Sequence, residues 1–148
     1  MLHTEIVTSI LEDRKLTVVV VDNGGFQCIK GLQAHCGSPA FGNELRFRSQ
    51  ATGRLDGEYA DLDFAKNAES LGARAYRATT AAELREALAR ARQEPRTTVI
   101  HARVDRESRV PGYESWWDVP VAEVAGRESV RSAQAQYRAA RQRQRFYY

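Results

Sequence analysis

The sequence predicts an α/β fold in which a parallel sheet is flanked by helices, and three observations carry that prediction. Residues 16 to 21, Leu-Thr-Val-Val-Val-Val, form a strand-sized run that is apolar on both faces apart from Thr17. That is the pattern of an inner parallel strand covered by helices on either side. Between residues 63 and 104 helical and strand patterns alternate, the order that a parallel sheet with crossover helices requires. Thr80, followed three residues later by Glu83, opens one of these helical stretches with a capping box.

The elements follow in chain order. Ile6, Val7, Ile10 and Leu11 recur at helical spacing, which predicts an amphipathic helix lying on the sheet. The strand from Leu16 to Val21 then runs into Asp22-Asn23-Gly24-Gly25, oxygen-bearing residues followed by two glycines. Asn-Gly is a strong turn signal, and an ordinary turn accounts for it. The alternative is a site for a metal and a phosphate, because open parallel sheets bind ligands outside the carboxyl ends of their strands. From Gly31 to Asp61 the chain is rich in glycine and mixed charge with little periodicity; a loop of that length in a compact domain is usually a lid, a binding loop or disorder.

Regular alternation resumes with "DFAKNAESLG", a short helix capped by Asp63 and stopped at Gly72, and with the strand "ARAYRAT". "TAAELREALARARQEP" presents Leu84, Ala87, Leu88 and Ala91 as an apolar face and ends before Pro95; "TTVIHARV" is the next strand. "PGYESWWDVPVAEV", residues 111 to 124, sets Trp116 and Trp117 beside Glu114 and Asp118. It reads equally as a pocket or interface lining and as a strap over the sheet edge. Val130, Ala133, Tyr137 and Ala140 make a narrow stripe on a final helix.

At 148 residues, with 43% hydrophobic and 28% charged residues, the chain has the composition of an ordinary globular domain. No apolar run approaches a membrane span and the N-terminus lacks the parts of a signal peptide, so a cytoplasmic location is expected. Cys28 and Cys36 match neither zinc nor redox spacing, and His3, His35 and His101 are scattered, so all five read as ordinary residues. The net charge of +3 is concentrated from Arg127 onward, where six arginines face one glutamate. A helix facing solvent or a subunit explains that tail better than nucleic acid does, since no aromatic platform accompanies it.

With these pieces in place, "VVVVDNGGF" followed by "CIKGLQ" resembles the diphosphate-binding domain of thiamine-diphosphate-dependent enzymes. The resemblance implies a bound thiamine diphosphate and a magnesium ion, held in that superfamily by the Asp of a Gly-Asp-Gly motif on one strand, an Asn at the next strand end, and a carbonyl two residues later. Carried over, Asn23 supplies the side-chain oxygen and Gly25 the carbonyl, with Gly24 and Phe26 completing the cofactor-binding segment. Hard oxygen ligands suit magnesium, which takes few protein donors when phosphates fill other positions.

The segments "MLHTEIVTS", "GSPAFGNELRFR", "RLDG", "DFAKNAESLG" and "GYESWWDVPVAEV" resemble one branch more closely, the trihydroxycyclohexanedione hydrolases of myo-inositol catabolism. That likeness implies carbon–carbon cleavage of a cyclic 1,2-diketone to 5-deoxyglucuronate, with the cofactor as electron sink and water releasing the acid. Arg46 and Arg48 become candidates for substrate or phosphate oxygens, because guanidinium groups match them in a fork; no acid or base is assigned. The Gly-Asp-Gly-Ser strand expected before Met1 is missing, as is the pyrimidine-binding domain that a partner subunit supplies. The expectation is therefore a C-terminal fragment, inactive alone, of a homo-oligomeric enzyme. It consists of a truncated diphosphate- and magnesium-binding domain over residues 1–110 and an aromatic strap and helix over 111–148. Two alternatives stand beside it. One is another thiamine enzyme, an acetolactate synthase-like carboligase or a decarboxylase, although Ile29 stands near where decarboxylases carry a glutamate. The other is a non-catalytic binding module with a basic tail.

Overall fold

The computed structural model describes residues 3–39, 41–108 and 119–145. It falls into two compact units: one runs to Gly24 and resumes over Ala60–Ser108, and the other comprises Gly25–Tyr59 and the C-terminal residues.

The first unit holds the sheet. Helix α1 (Glu5–Leu11) leads to strand β1 (Thr17–Asp22). Helix α2 (Gln27–His35) follows in the chain but belongs to the second unit. The first unit resumes with helix α3 (Phe64–Ser70), strand β2 (Arg74–Ala78), helix α4 (Ala81–Gln93) and strand β3 (Thr98–Arg103). All three strands are parallel in the order β1-β3-β2, with Val20 opposite His101 and Tyr76 opposite Ile100. The α/β fold with helices on a parallel sheet is thus the one the sequence predicts.

Period-two alternation sends β3 residues to two cores. On one face Val99 meets Ala68 and Ala73, with Ile6, Val18, Val20 and Ala75 packed against them; on the other Ile100 meets Ala78, Ala87 and Ala91, with Tyr76 and Leu84. Alanines at the helix contacts let α3 and α4 approach the sheet closely. The polar side chain at the entry to β3 is satisfied: Thr97 Oγ1 lies 2.8 Å from Ser9 Oγ and accepts from Leu16 N–H at 3.0 Å. Helix α3 starts where Asp63 accepts from Lys66 N–H at 3.0 Å. Helix α4 starts on the complete Thr80–Glu83 capping box.

Two expectations for the first unit need correction. The Leu16–Val21 run is not an inner strand: among the described residues β1 pairs with β3 alone, and its burial alternates, leaving Val19 38% and Val21 62% exposed. The central strand is β3, whose Thr98, His101 and Arg103 make it less apolar than β1; the relevant property is which strand is paired on both sides, and hydropathy does not report that. On α1 the side chains facing the sheet are Ile6, Ser9 and Ile10, while Val7 and Leu11 are exposed.

The second unit contains α2 and helix α5 (Glu128–Gln142). Residues Gly31 to His35, expected as the beginning of a long loop, are helical. Gly31 within α2 weakens the periodic signal and hid the helix. Beyond it, the Gly25–Glu44 bridge returns the loop to the chain ahead of α2, and the Arg46–Tyr59 bridge folds the loop back on itself. Helix α5 buries Val130 and Gln134, and Ala133 and Tyr137 are half-buried, whereas Ala140 is exposed. Gly37 (φ +75°) lies where a Cβ would meet the Ser129 carbonyl at 2.3 Å, so only glycine fits there. The segment from Pro111 to Asp118, with Trp116 and Trp117, lies outside the described residues.

Candidate functional site

Asn23 follows the last residue of β1 and is half-buried at the strand's carboxyl end. The turn that carries it is tied from below. Asp22 Oδ1 accepts from Gly24 N–H at 2.9 Å, an Asx-type turn, and Gly24 takes φ +74°, which glycine adopts without strain. Asp22 Oδ2 lies 2.9 Å from His101 Nε2. His101 is 3% exposed, on the neighbouring strand, and packs edge-on against Phe64 with ring centroids 5.3 Å apart. Burial pushes the Asp22 carboxyl up, but the His101 bond, the Gly24 N–H and the charge of Arg103 outweigh it and hold the group below the usual carboxylate range. It is an ionised acceptor at neutral pH, so His101 Nε2–H donates. Arg103 also pairs with Asp61, and Arg77 Nη2 reaches both Asp63 oxygens at 3.0 Å.

In the second unit Glu44 gathers a network. It accepts from Lys30 Nζ at 2.8 Å, Tyr59 Oη at 2.5 Å, Gln27 Nε2 at 3.3 Å and Arg46 Nε at 2.9 Å. Burial raises its pKa, and these donors together bring it down to about 2. Arg46 also donates Nη1 to the Gly57 carbonyl at 2.9 Å and stacks over the Tyr59 ring at 3.8 Å; Arg48 donates to the Gly53 carbonyl. Both arginines therefore support the loop, with guanidinium N–H groups left over from the five that each carries. Gly25, which opens the unit, has no room for a side chain: a Cβ would lie 2.3 Å from the Asn43 carbonyl oxygen. Phe26 is exposed, and its N–H donates to that same carbonyl at 2.6 Å. A cleft of about 600 Å³ is lined by Phe41, Asn43, Arg46, Arg54, Leu55 and Arg127, among others.

The donor set at the turn is chemically suited to magnesium. An amide oxygen and a main-chain carbonyl are hard ligands, and the half-buried Asn23 stands at the edge where parallel sheets bind ligands. Among the described residues no three His, Cys, Asp or Glu side chains group as a metal site, so a soft or multi-carboxylate metal has no cluster of its own there. Cys28 and Cys36 are free thiols. No helix among the described residues is long and apolar enough to cross a membrane.

Sequence reasoning missed Asp22 and His101 as a pair, and Arg54 and Arg127 as cleft residues. A signal for the pair did exist: His101 stands among Val99, Ile100 and Ala102, and a buried histidine needs a partner.

Comparison with known proteins identifies the family of the fold. Residues 1–102 match the family model of the thiamine pyrophosphate enzyme C-terminal TPP binding domain. The 3D-(3,5/4)-trihydroxycyclohexane-1,2-dione hydrolase of Bacillus cereus (strain AH820) is 44% identical over 133 residues. The corresponding hydrolases of Bacillus anthracis (strain CDC 684 / NRRL 3495) and Bacillus thuringiensis (strain Al Hakam) are 44% and 42% identical over 133 residues. In each case the match covers 90% of this chain and 21% of the relative, so the chain spans about a fifth of the length of the curated relatives it matches. The parallel sheet, the Asp-Asn-Gly-Gly turn at its carboxyl edge and the match over residues 1–102 lead to one conclusion: the chain belongs to the C-terminal TPP-binding domain family of thiamine pyrophosphate enzymes.

Proposed function

We propose that the chain serves as the C-terminal part of a thiamine-diphosphate-dependent hydrolase that cleaves a carbon–carbon bond of trihydroxycyclohexane-1,2-dione and yields 5-deoxyglucuronate. The observation that carries this reading is 44% identity over 90% of the chain to relatives named for that hydrolysis. The extended enzyme would place before these residues a Gly-Asp-Gly-Ser strand and a pyrimidine-binding domain, the latter acting from a partner subunit of a homo-oligomer in the cytoplasm. The uncovered Val19 and Val21 on β1 fit such an extension. In this reading residues 1–110 are the cofactor-binding part and 111–148 pack on it or on the partner.

In the proposed site the Asn23 side-chain oxygen and the Gly25 carbonyl hold magnesium, and Gly24 and Phe26 border the diphosphate. When bound, thiamine diphosphate supplies the electron sink for breaking the carbon–carbon bond. The chain's own part is orientation and charge. Asn23 fixes the metal at the sheet edge, the turn's backbone sets the position of that side chain, and Arg46 and Arg48 are the candidates for phosphate or substrate oxygens through the N–H groups they do not spend on the loop.

Product analysis tests the reading. The extended enzyme, supplied with magnesium and thiamine diphosphate, should convert the inositol-derived cyclic diketone to 5-deoxyglucuronate and leave pyruvate unchanged. Consumption of pyruvate with no ring opening would assign it instead to a carboligase or decarboxylase.

A further inference from the structure

We propose that Asp22 and His101 are positioning residues for Asn23, so that the buried end of β3 sets the geometry of the metal turn. The inference rests on the reading of Asn23 as a magnesium ligand and deepens it. Asp22 has two oxygens and both are committed: one takes the Gly24 N–H at 2.9 Å and the other the His101 Nε2–H at 2.9 Å. Asn23 lies between the two residues that the first bond joins. A rotation of the Asp22 side chain would therefore break the Gly24 bond that closes the turn around Asn23.

The pair is needed because of where β1 sits. Among the described residues β1 has a neighbour on one side only, and at its last paired residue the Asp22 carbonyl accepts from Val104 N–H at 3.0 Å. The Asp22 side chain adds a tether from the turn to β3. His101 is a rigid anchor for it, since the ring is 3% exposed and fixed edge-on against Phe64. Arg103, opposite Asp22 in the register and paired with Asp61, adds favourable charge without touching the turn's amide. The arrangement is the kind in which a second layer of hydrogen bonds orients a ligand, and loss of such a layer typically lowers metal affinity about 10- to 100-fold.

The test uses the extended enzyme, magnesium with thiamine diphosphate as probe, and two readouts: calorimetric affinity, and hydrogen exchange of the Gly24 amide in the cofactor-free protein. Asp22→Ala should weaken binding about 10- to 100-fold and speed Gly24 exchange. Asp22→Asn keeps an oxygen for Gly24 and can still bond His101 in its other tautomer, so it should restore both values to near wild type. Should Asp22→Ala lose its cooperative melt, His101→Gln decides in its place, with faster Gly24 exchange and weaker binding expected. Wild-type affinity and protection in Asp22→Ala or His101→Gln, with binding lost in Asn23→Ala, would overturn the positioning role alone. Wild-type affinity in Asn23→Ala would overturn the site reading and the positioning role together.

Discussion

Lys30 Nζ lies 2.8 Å from Glu44 Oε1, which ties helix α2 to the loop that follows it. The Glu44 side chain is 15% exposed and its pKa is brought down from 4.5 to about 2. The folded state thus favours the charged carboxylate. The stabilisation is fully present above pH 4.5 and is lost as pH falls toward 2. A shift of that size amounts to about 3 kcal/mol. Thermal melts of the chain should fall across that window, and Glu44→Gln should start less stable and show a flatter acid limb. An acid limb identical in the two proteins would contradict the assignment.

Gly25→Ala should destabilise the second unit, because the added methyl would meet the main chain of Asn43 at 2.3 Å and of Glu44 at 2.7 Å. Main chain cannot swing aside as a flexible side chain can. Gly126→Ala is the control: a Cβ there meets nothing within 4 Å, so its effect should stay within about 0.5 kcal/mol. Denaturant titration of both variants separates steric exclusion from a general cost of replacing glycine.

Thr80→Ala should cost about 1 kcal/mol, since the hydroxyl is the acceptor for Glu83 N–H at the start of α4. Thr80→Ser should recover most of it. The midpoint of urea unfolding is the measurement, and equal midpoints for Thr80→Ala and wild type would show that α4 is held by its alanine face alone.

Much of this was legible in the sequence because the signals are local. Asp63 and Thr80 cap the helices they precede, Ala87 and Ala91 face the sheet, and the Asn-Gly turn falls at the end of β1. What the sequence did not disclose depends on long-range pairing. The central position of β3 is set by two neighbours distant in sequence, and the apolar valines of β1 suggested the reverse. The bond between Asp22 and His101 joins residues 79 apart. Arg46 illustrates the same point in the second unit: its guanidinium suits an anion, yet Glu44, Gly57 and Tyr59 already engage it, a commitment visible only once the loop closes.

The central claim is that Asn23 holds the metal of a thiamine diphosphate site, and a calorimetric titration tests it most directly. Magnesium and thiamine diphosphate would be titrated into the extended enzyme and its Asn23→Ala form, with circular dichroism confirming that both are folded. The account predicts saturable binding in the first and loss of binding in the second, because the alanine removes the side-chain oxygen proposed as the ligand of a hard cation. Equal affinity in two equally folded proteins would contradict it.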